Sequence, residues 1–198
     1  MSYIGNTYLH LLASLAIVLI SMNNSFIHGG IYYLLAFLIV FAILFFLIQM
    51  PVGPFKYVVF TIFLVLIGQI TAPLTKQLKE KGIYYDVLAS VTGIFVAMTA
   101  VGFYTKDKFL PFGTTFIAGL IGLIIARVVL IIMGLSGSKT DTISNILSWF
   151  ATVLFAGFVA FDTQMMKKRL FKKDYINSSL GLFLDILNLY SSVGDIMD

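Results

Sequence analysis

Apolar runs alternate with short polar breaks along the whole chain. The first run covers Tyr8–Met22 and ends at Asn23-Asn24-Ser25. The second, Ile31–Met50, holds no charge and stops at Pro51-Val52-Gly53-Pro54. A third spans Tyr57–Thr75, ahead of the basic stretch Lys76–Lys81, and a fourth, Ile83–Thr105, is closed by Lys106-Asp107-Lys108. The fifth, Phe109–Leu135, ends at Ser136-Gly137-Ser138-Lys139, and the sixth, Ile143–Met166, runs into Lys167-Lys168-Arg169. The last, Ile176–Gly194, is shorter and stops at an acidic end. Such runs exceed a barrel strand and lack its alternation, whereas about twenty helical residues cross a bilayer core of ~30 Å. The pattern predicts an all-α membrane protein of about seven transmembrane helices, one polytopic domain over residues 1–198. The first run follows the uncharged segment Met1–Thr7 with no basic leader, so a permanent first helix is expected.

Composition agrees. Of 198 residues, 60% are hydrophobic and 11% charged, and the mean hydropathy is +1.00. So few charges cannot coat a soluble domain of this size. The chain has no cysteine, which excludes a disulfide framework, a thiolate metal site and a cysteine nucleophile together. The net charge of +4 reads as topology rather than nucleic-acid binding. With a cytoplasmic N-terminus, the inner breaks hold Lys56, Lys106, Lys108, Lys167, Lys168, Arg169, Lys172 and Lys173. The outer breaks hold Lys76, Lys79, Lys81 and Lys139. The excess favours the N-terminus inside, although the third break dissents and the seventh run is short enough to be re-entrant.

Within the runs, ionisable groups are informative, since each costs a few kcal/mol (about 2.5–3.5) at mid-bilayer unless paired or wetted. Asp86, Arg127, Asp162 and Asp185 qualify. Asp162 lies five residues before Lys167, ~7 Å below that end of its helix, and Asp185 lies eight residues after Asn177, ~12 Å in. Two consecutive antiparallel helices joined by a basic loop therefore bring both carboxyls to similar depth. Arg127, ~27 Å along the fifth helix, is too far from them and is expected to snorkel outward to Asp86, forming an outer-side Arg127–Asp86 pair. The alternative is an Arg127 that reaches water alone.

The segments around the two late aspartates carry a resemblance. Phe158–Met166 reads FVAFDTQMM, and Leu180–Tyr190 reads LGLFLDILNLY. Both are similar to the late-helix signatures of the transmembrane Bax-inhibitor-motif family. TYLHLLASLAI resembles its opening helix, and LIGQITAPL the glycine-to-proline stretch of its third. The resemblance implies seven helices with the last enclosed by the others. It also implies a pH-sensitive calcium leak, with Asp162 and Asp185 as the pH-sensing dyad, that lowers calcium stores and dampens cell death. The chain departs from bacterial relatives where their second helix ends in a basic latch. Here FFLIQMPVGPFK leaves only Gln49 and Lys56, and the latch is not carried over. It departs again after Tyr190, where it gives SSVGDIMD.

The chemistry follows without the family. Two neighbouring carboxylates in a low-dielectric site share a proton, and the singly protonated pair ties two helices together. Doubly ionised, the pair repels itself and offers hard oxygens to Ca²⁺, as permeant or bound ion at Asp162 and Asp185. An intramembrane aspartyl protease also pairs aspartates. However, Phe161 rather than tyrosine precedes Asp162, and Gly181 is too far from Asp185, so no enzyme is expected. A non-conducting scaffold for cell-death or calcium-handling proteins is the other alternative.

No cofactor is called for. The expected partners are the bilayer, Ca²⁺ and H⁺, with no nucleic acid, and a monomer suffices. The expected location is the endoplasmic reticulum or Golgi membrane for a eukaryotic or viral chain, and the plasma membrane for a bacterial one. Ala118, Gly122 and Ala126 suggest a close-packing stripe, Pro73 a kink beside a cavity, and His10 an interfacial hydrogen-bonding role.

Overall fold

A computed structural model describes residues 2–27, 30–135, 141–168 and 174–198. The breaks at 136–140 and 169–173, with Lys139, Arg169, Lys172 and Lys173 of the charge count, lie outside the described residues. The described residues form seven helices and no strand. They are α1 (Tyr3–Asn23), α2 (Gly30–Gln49), α3 (Pro54–Glu80), α4 (Tyr84–Tyr104), α5 (Gly113–Leu135), α6 (Asp141–Lys167) and α7 (Tyr175–Met197), with one 3-10 turn at Leu110–Phe112. All seven are long and apolar enough to cross a membrane.

Local chemistry sets the ends. Ser2 caps α1, its Oγ accepting from the Gly5 N–H at 3.2 Å. Pro54 opens α3, where its missing N–H costs nothing. Asp141 stands in the first turn of α6 and Lys167 in its last, matching the helix dipole at both ends. Asp107, after α4, adopts a left-handed φ of 47° that aspartate tolerates, and its carboxylate meets Lys168 at 2.8 Å.

The contacts divide the chain into two compact units, Met1–Lys81 with Phe171–Phe183, and Gly82–Leu170 with Leu184–Asp198. In the first, α1 and α2 both pack on α3. A Cβ on Gly68 would stand 2.5 Å from the Ser21 Cβ and 3.0 Å from the Val18 carbonyl oxygen, so α1 and α3 approach as closely as backbone allows. Next to it, the wholly buried Gln69 donates to the Ser21 carbonyl at 2.9 Å. Its Oε1 accepts from the N–H groups of Phe26 and Ile27, which ties down the α1–α2 connection. A cavity of about 420 Å³ opens beside Pro73, lined also by Asn23, Tyr33, Thr75 and Lys76, and α3 continues through the proline.

In the second unit, α6 is the centre, with α4 and α5 packed on it. Gly102 of α4 lies where a Cβ would come within 2.8 Å of the Ala160 carbonyl oxygen. Gly157 of α6 leaves room for Phe116, whose ring would be 2.7 Å from a Cβ there. Phe116 also meets the rings of Phe158 and Phe161. The close-packing face of α5 is therefore Phe116, Gly119 and Leu123. Ala118 and Gly122 of the expected stripe are exposed, because the aromatic side chain, not the small-residue row, finds the complementary glycine.

These approaches make a signed prediction. Gly68→Ala adds a methyl where none fits and lowers stability by about 1–3 kcal/mol. Gly93→Ala, with nothing within 4 Å of its Cβ, gains up to about 1 kcal/mol from helix propensity. Thermal unfolding in detergent should move the two melting points in opposite directions.

Candidate functional site

The seventh helix carries three aspartates. Asp174 precedes its first turn, Asp185 lies eleven residues on, and Asp195 ten residues further. At 1.5 Å per residue these intervals are ~16 Å and ~15 Å.

Asp174 belongs to the first unit and is the N-cap of α7. Its Oδ1 accepts from the Ile176 N–H at 3.0 Å and the Asn177 N–H at 3.1 Å. Its Oδ2 meets the Lys56 ammonium at 2.6 Å, and that ammonium also donates to the Met50 carbonyl at 3.0 Å. The Lys56 side chain is 0% exposed. Pro54 starts α3 early enough to place Lys56 inside the first turn, and it buries there because Asp174 is waiting for it. Tyr3 bonds Ser178, and the His10 ring lies between those of Tyr57 and Tyr175, at 5.5 and 5.9 Å. His10 thus packs on aromatic rings near the start of α7.

Asp195, in the second unit, has the other cation. The Arg127 Nη2 lies 3.1 Å from its Oδ2 and 2.8 Å from the Ser148 hydroxyl, and that hydroxyl is 3.3 Å from the same carboxylate oxygen. The expected Arg127–Asp86 pair is thereby corrected. Asp86 is exposed in the first turn of α4, where the helix dipole favours a negative charge, and no ion pair reaches it among the described residues. The physical reason is the length of α7, which continues as helix through Gly194 to Met197 and brings an acid to Arg127. Four residues along α6 from Ser148, the Thr152 hydroxyl donates to Ser192 of α7 at 2.9 Å, both buried.

Asp185 is different. It also lies in the second unit, it is 5% exposed, and its Oδ2 is fully buried with no hydrogen-bond partner. Its electrostatic neighbour is Asp162 of α6, in the same unit and half-buried. No hydrogen bond joins the two carboxyls, and neither has a cation partner among the described residues. No group of three or more metal-ligating side chains occurs among them either. The residue two positions after Asp162 has a separate structural task. Gln164, 1% exposed, donates to the Thr105 carbonyl at 2.9 Å and accepts from the Phe109 N–H at 3.0 Å, clasping the α4–α5 connection to α6.

Two parts of this arrangement escaped the reading of the runs. In the sequence Lys56 counts only toward topology and as a leftover polar residue where relatives carry a latch, whereas the structure pairs it with Asp174. The period of α7 was also in view. Asp174, Ser178, Gly181, Asp185, Asn188, Ser192 and Asp195 recur at alternating steps of four and three, a line on one face of the helix that holds all three of these aspartates.

The family model described as inhibitor of apoptosis-promoting Bax1 matches residues 1–198. The chain belongs to the Bax inhibitor family. It is 28% identical over 186 residues to Bax inhibitor 1 of Schizosaccharomyces pombe, which covers 85% of this chain and 68% of that one. It is 31% identical over 115 residues to the Golgi anti-apoptotic protein of Vaccinia virus (strain Lister), covering 54% of this chain and 46% of the viral one. Protein lifeguard 4 of Mus musculus is 28% identical over 113 residues, 54% and 45% of the two chains. The match spans about half the length of the viral and mouse relatives.

Within this Bax inhibitor chain, the buried Lys56–Asp174 pair generates a stability prediction. Lys56→Met strands a buried carboxylate and costs about 3–5 kcal/mol. Lys56→Met with Asp174→Asn recovers most of that loss, since asparagine keeps the cap without the charge. Detergent melting curves of the single and double variants check it.

Proposed function

We propose that this protein is a pH-sensitive calcium leak pathway of the Bax-inhibitor type, gated at Asp162 and Asp185. The observation that carries the reading is the buried Asp185 oxygen without a hydrogen-bond partner, beside a second carboxyl and with no ion pair to a cation among the described residues. A polar atom left so in an apolar bundle costs free energy unless something arrives to satisfy it. A proton or a hard cation would do so, and the two compete for the same oxygens. A proton shared between the carboxyls would tie α6 to α7 and close the route. With both ionised, the pair would repel itself and attract Ca²⁺.

Two carboxylates offer at most four oxygens, fewer than the six to eight of a Ca²⁺ storage site. That suits an ion in passage, held loosely enough to leave. Ca²⁺ is thus the cargo, and no resident cofactor or catalytic role is part of the proposal. The names of the viral Golgi anti-apoptotic protein and the yeast Bax inhibitor 1 support a part in restraining cell death, and the viral name supports a place in an internal membrane such as the Golgi. The cytoplasmic N-terminus and a self-sufficient monomer in lipid complete the reading.

The test is Ca²⁺ flux through purified protein in liposomes between pH 5 and 8. Flux should rise as pH rises through the titration of the pair, because deprotonation removes the tie and supplies the charge. Asp162→Asn and Asp185→Asn should each flatten that dependence. A folded wild type that carries no Ca²⁺ at any pH would refute conduction and leave a scaffold of cell-death proteins as the better reading.

A further inference from the structure

The polar line of α7 does not end at Asp185. Within the second unit it continues through Asn188 and Ser192 to Asp195, at steps of three, four and three. From α6, Thr152 meets Ser192, and Ser148 meets Asp195. Hydroxyl, amide and carboxylate oxygens thus follow one seam from the aspartate pair to the end of the unit where α6 begins and α7 stops. At that end sits a positive charge.

The contact has the character of a stopper more than of a structural clamp. Arg127 uses one nitrogen, Nη2, for both Asp195 and Ser148, instead of the two-pronged grip that arginine makes on carboxylates it holds for stability. The two side chains are 33% and 34% exposed, against 0% for Lys56 in its pair. Beneath the guanidinium, the Ser148 residue is fully buried and its hydroxyl donates to the Ser144 carbonyl, which leaves its oxygen to accept from the cation. With the guanidinium present, the Arg127–Asp195 pair carries no net charge. Without it, Asp195, Ser148 and the adjoining Ser192 and Thr152 hydroxyls form an oxygen-lined mouth of net charge −1.

We propose that Arg127 is a tethered cation occupying a second cation site, Ser148–Asp195, at the far end of the seam that carries the aspartate pair, and that it limits cation passage there. The flux arm of this inference rests on the leak-pathway reading, whereas the site itself does not. A permeant Ca²⁺ leaving along the seam would meet a positive charge seated on the last carboxylate, and would have to displace it or pass beside it.

The experiment removes the charge and keeps the hydrogen bond. Arg127→Gln in liposomes should raise Ca²⁺ flux roughly tenfold, a small part of what one full charge at contact distance represents at an effective dielectric near 20. The pH at which flux changes should stay where it was, because the aspartate pair is untouched. Adding Asp195→Asn to Arg127→Gln should cancel the gain. Arg127→Lys, which keeps the charge, should gain far less than Arg127→Gln. A mere packing role would give both Arg127 variants the same effect.

Binding is read separately by titrating detergent-solubilised protein with Tb³⁺. Arg127→Gln should take up one more ion than wild type, and the Asp195→Asn double variant should lose it. This second reading needs no conduction. A wild type without flux sinks the leak pathway and leaves the site to be judged by Tb³⁺ alone. Should Arg127→Gln not fold, Ser148→Ala loosens the seat of the guanidinium without changing a charge, and should raise flux by a smaller factor. Folded Arg127→Gln with wild-type flux and no extra Tb³⁺, or folded Ser148→Ala with wild-type flux beside a conducting wild type, overturns the proposal.

Discussion

A charge inside hydrocarbon has no water to turn to, and three acids stand at the start, in the middle and near the end of the apolar helix α7. How each is satisfied organises the chain around it. Asp174 is neutralised by Lys56, which buries its whole side chain to do so. Asp195 is neutralised by Arg127, with a buried serine as second acceptor. Asp185 receives another acid as its neighbour. The two ends of α7 therefore have fixed countercharges, and the middle does not. A proton or a cation that arrives from outside changes the charge balance of the helix at one place only. The mechanism proposed for the family chemistry needs that asymmetry.

Most of the fold was legible in the runs, and the misplaced partner of Arg127 has one cause. Each polar residue at the edge of a run was treated as the end of a helix. Lysines can instead ride on the end of a helix with their heads in water, and α3 continues past Thr75 through Lys76 and Lys79 to Glu80. The same habit closed the seventh run at Gly194. In a bilayer, an acid at that point can stay within the helix when a cation meets it. Shortening α7 removed Asp195 from consideration, so Arg127 was assigned the nearest remaining acid, Asp86. One error of boundary became an error of partner.

The candidate site was legible in a different way. Asp162 and Asp185 were found by depth, a property that counts residues from the ends of helices and survives small boundary errors. Lys56 was not found, because burial of a lysine depends on a partner 118 residues away, and no local pattern announces it. The polar line of α7 was available from period alone. It went unread because the acids were weighed one at a time for cost, whereas the intervening Ser178, Gly181, Asn188 and Ser192 cost little individually and matter only as a series.

In the proposed leak pathway, that series bears on why two carboxylates would suffice. A site that must release its ion cannot satisfy it completely, and a seam of weak oxygen donors gives each departing cation somewhere to go next. Full coordination at Asp162 and Asp185 would make a calcium buffer. Partial coordination, followed by the hydroxyls of Ser192 and Thr152, lowers the step from one position to the next without making any of them deep. Selectivity against anions then needs no extra device, since the acid pair already sets the sign. What such a seam lacks is a brake, because nothing in a row of hydroxyls opposes a cation once it has left the acids. A positive side chain at its end supplies one, and it can do so only where a carboxylate is present to keep that side chain from leaving for water. In the proposed pathway Asp195 and Arg127 would meet that requirement together, since the carboxylate holds the guanidinium at 3.1 Å.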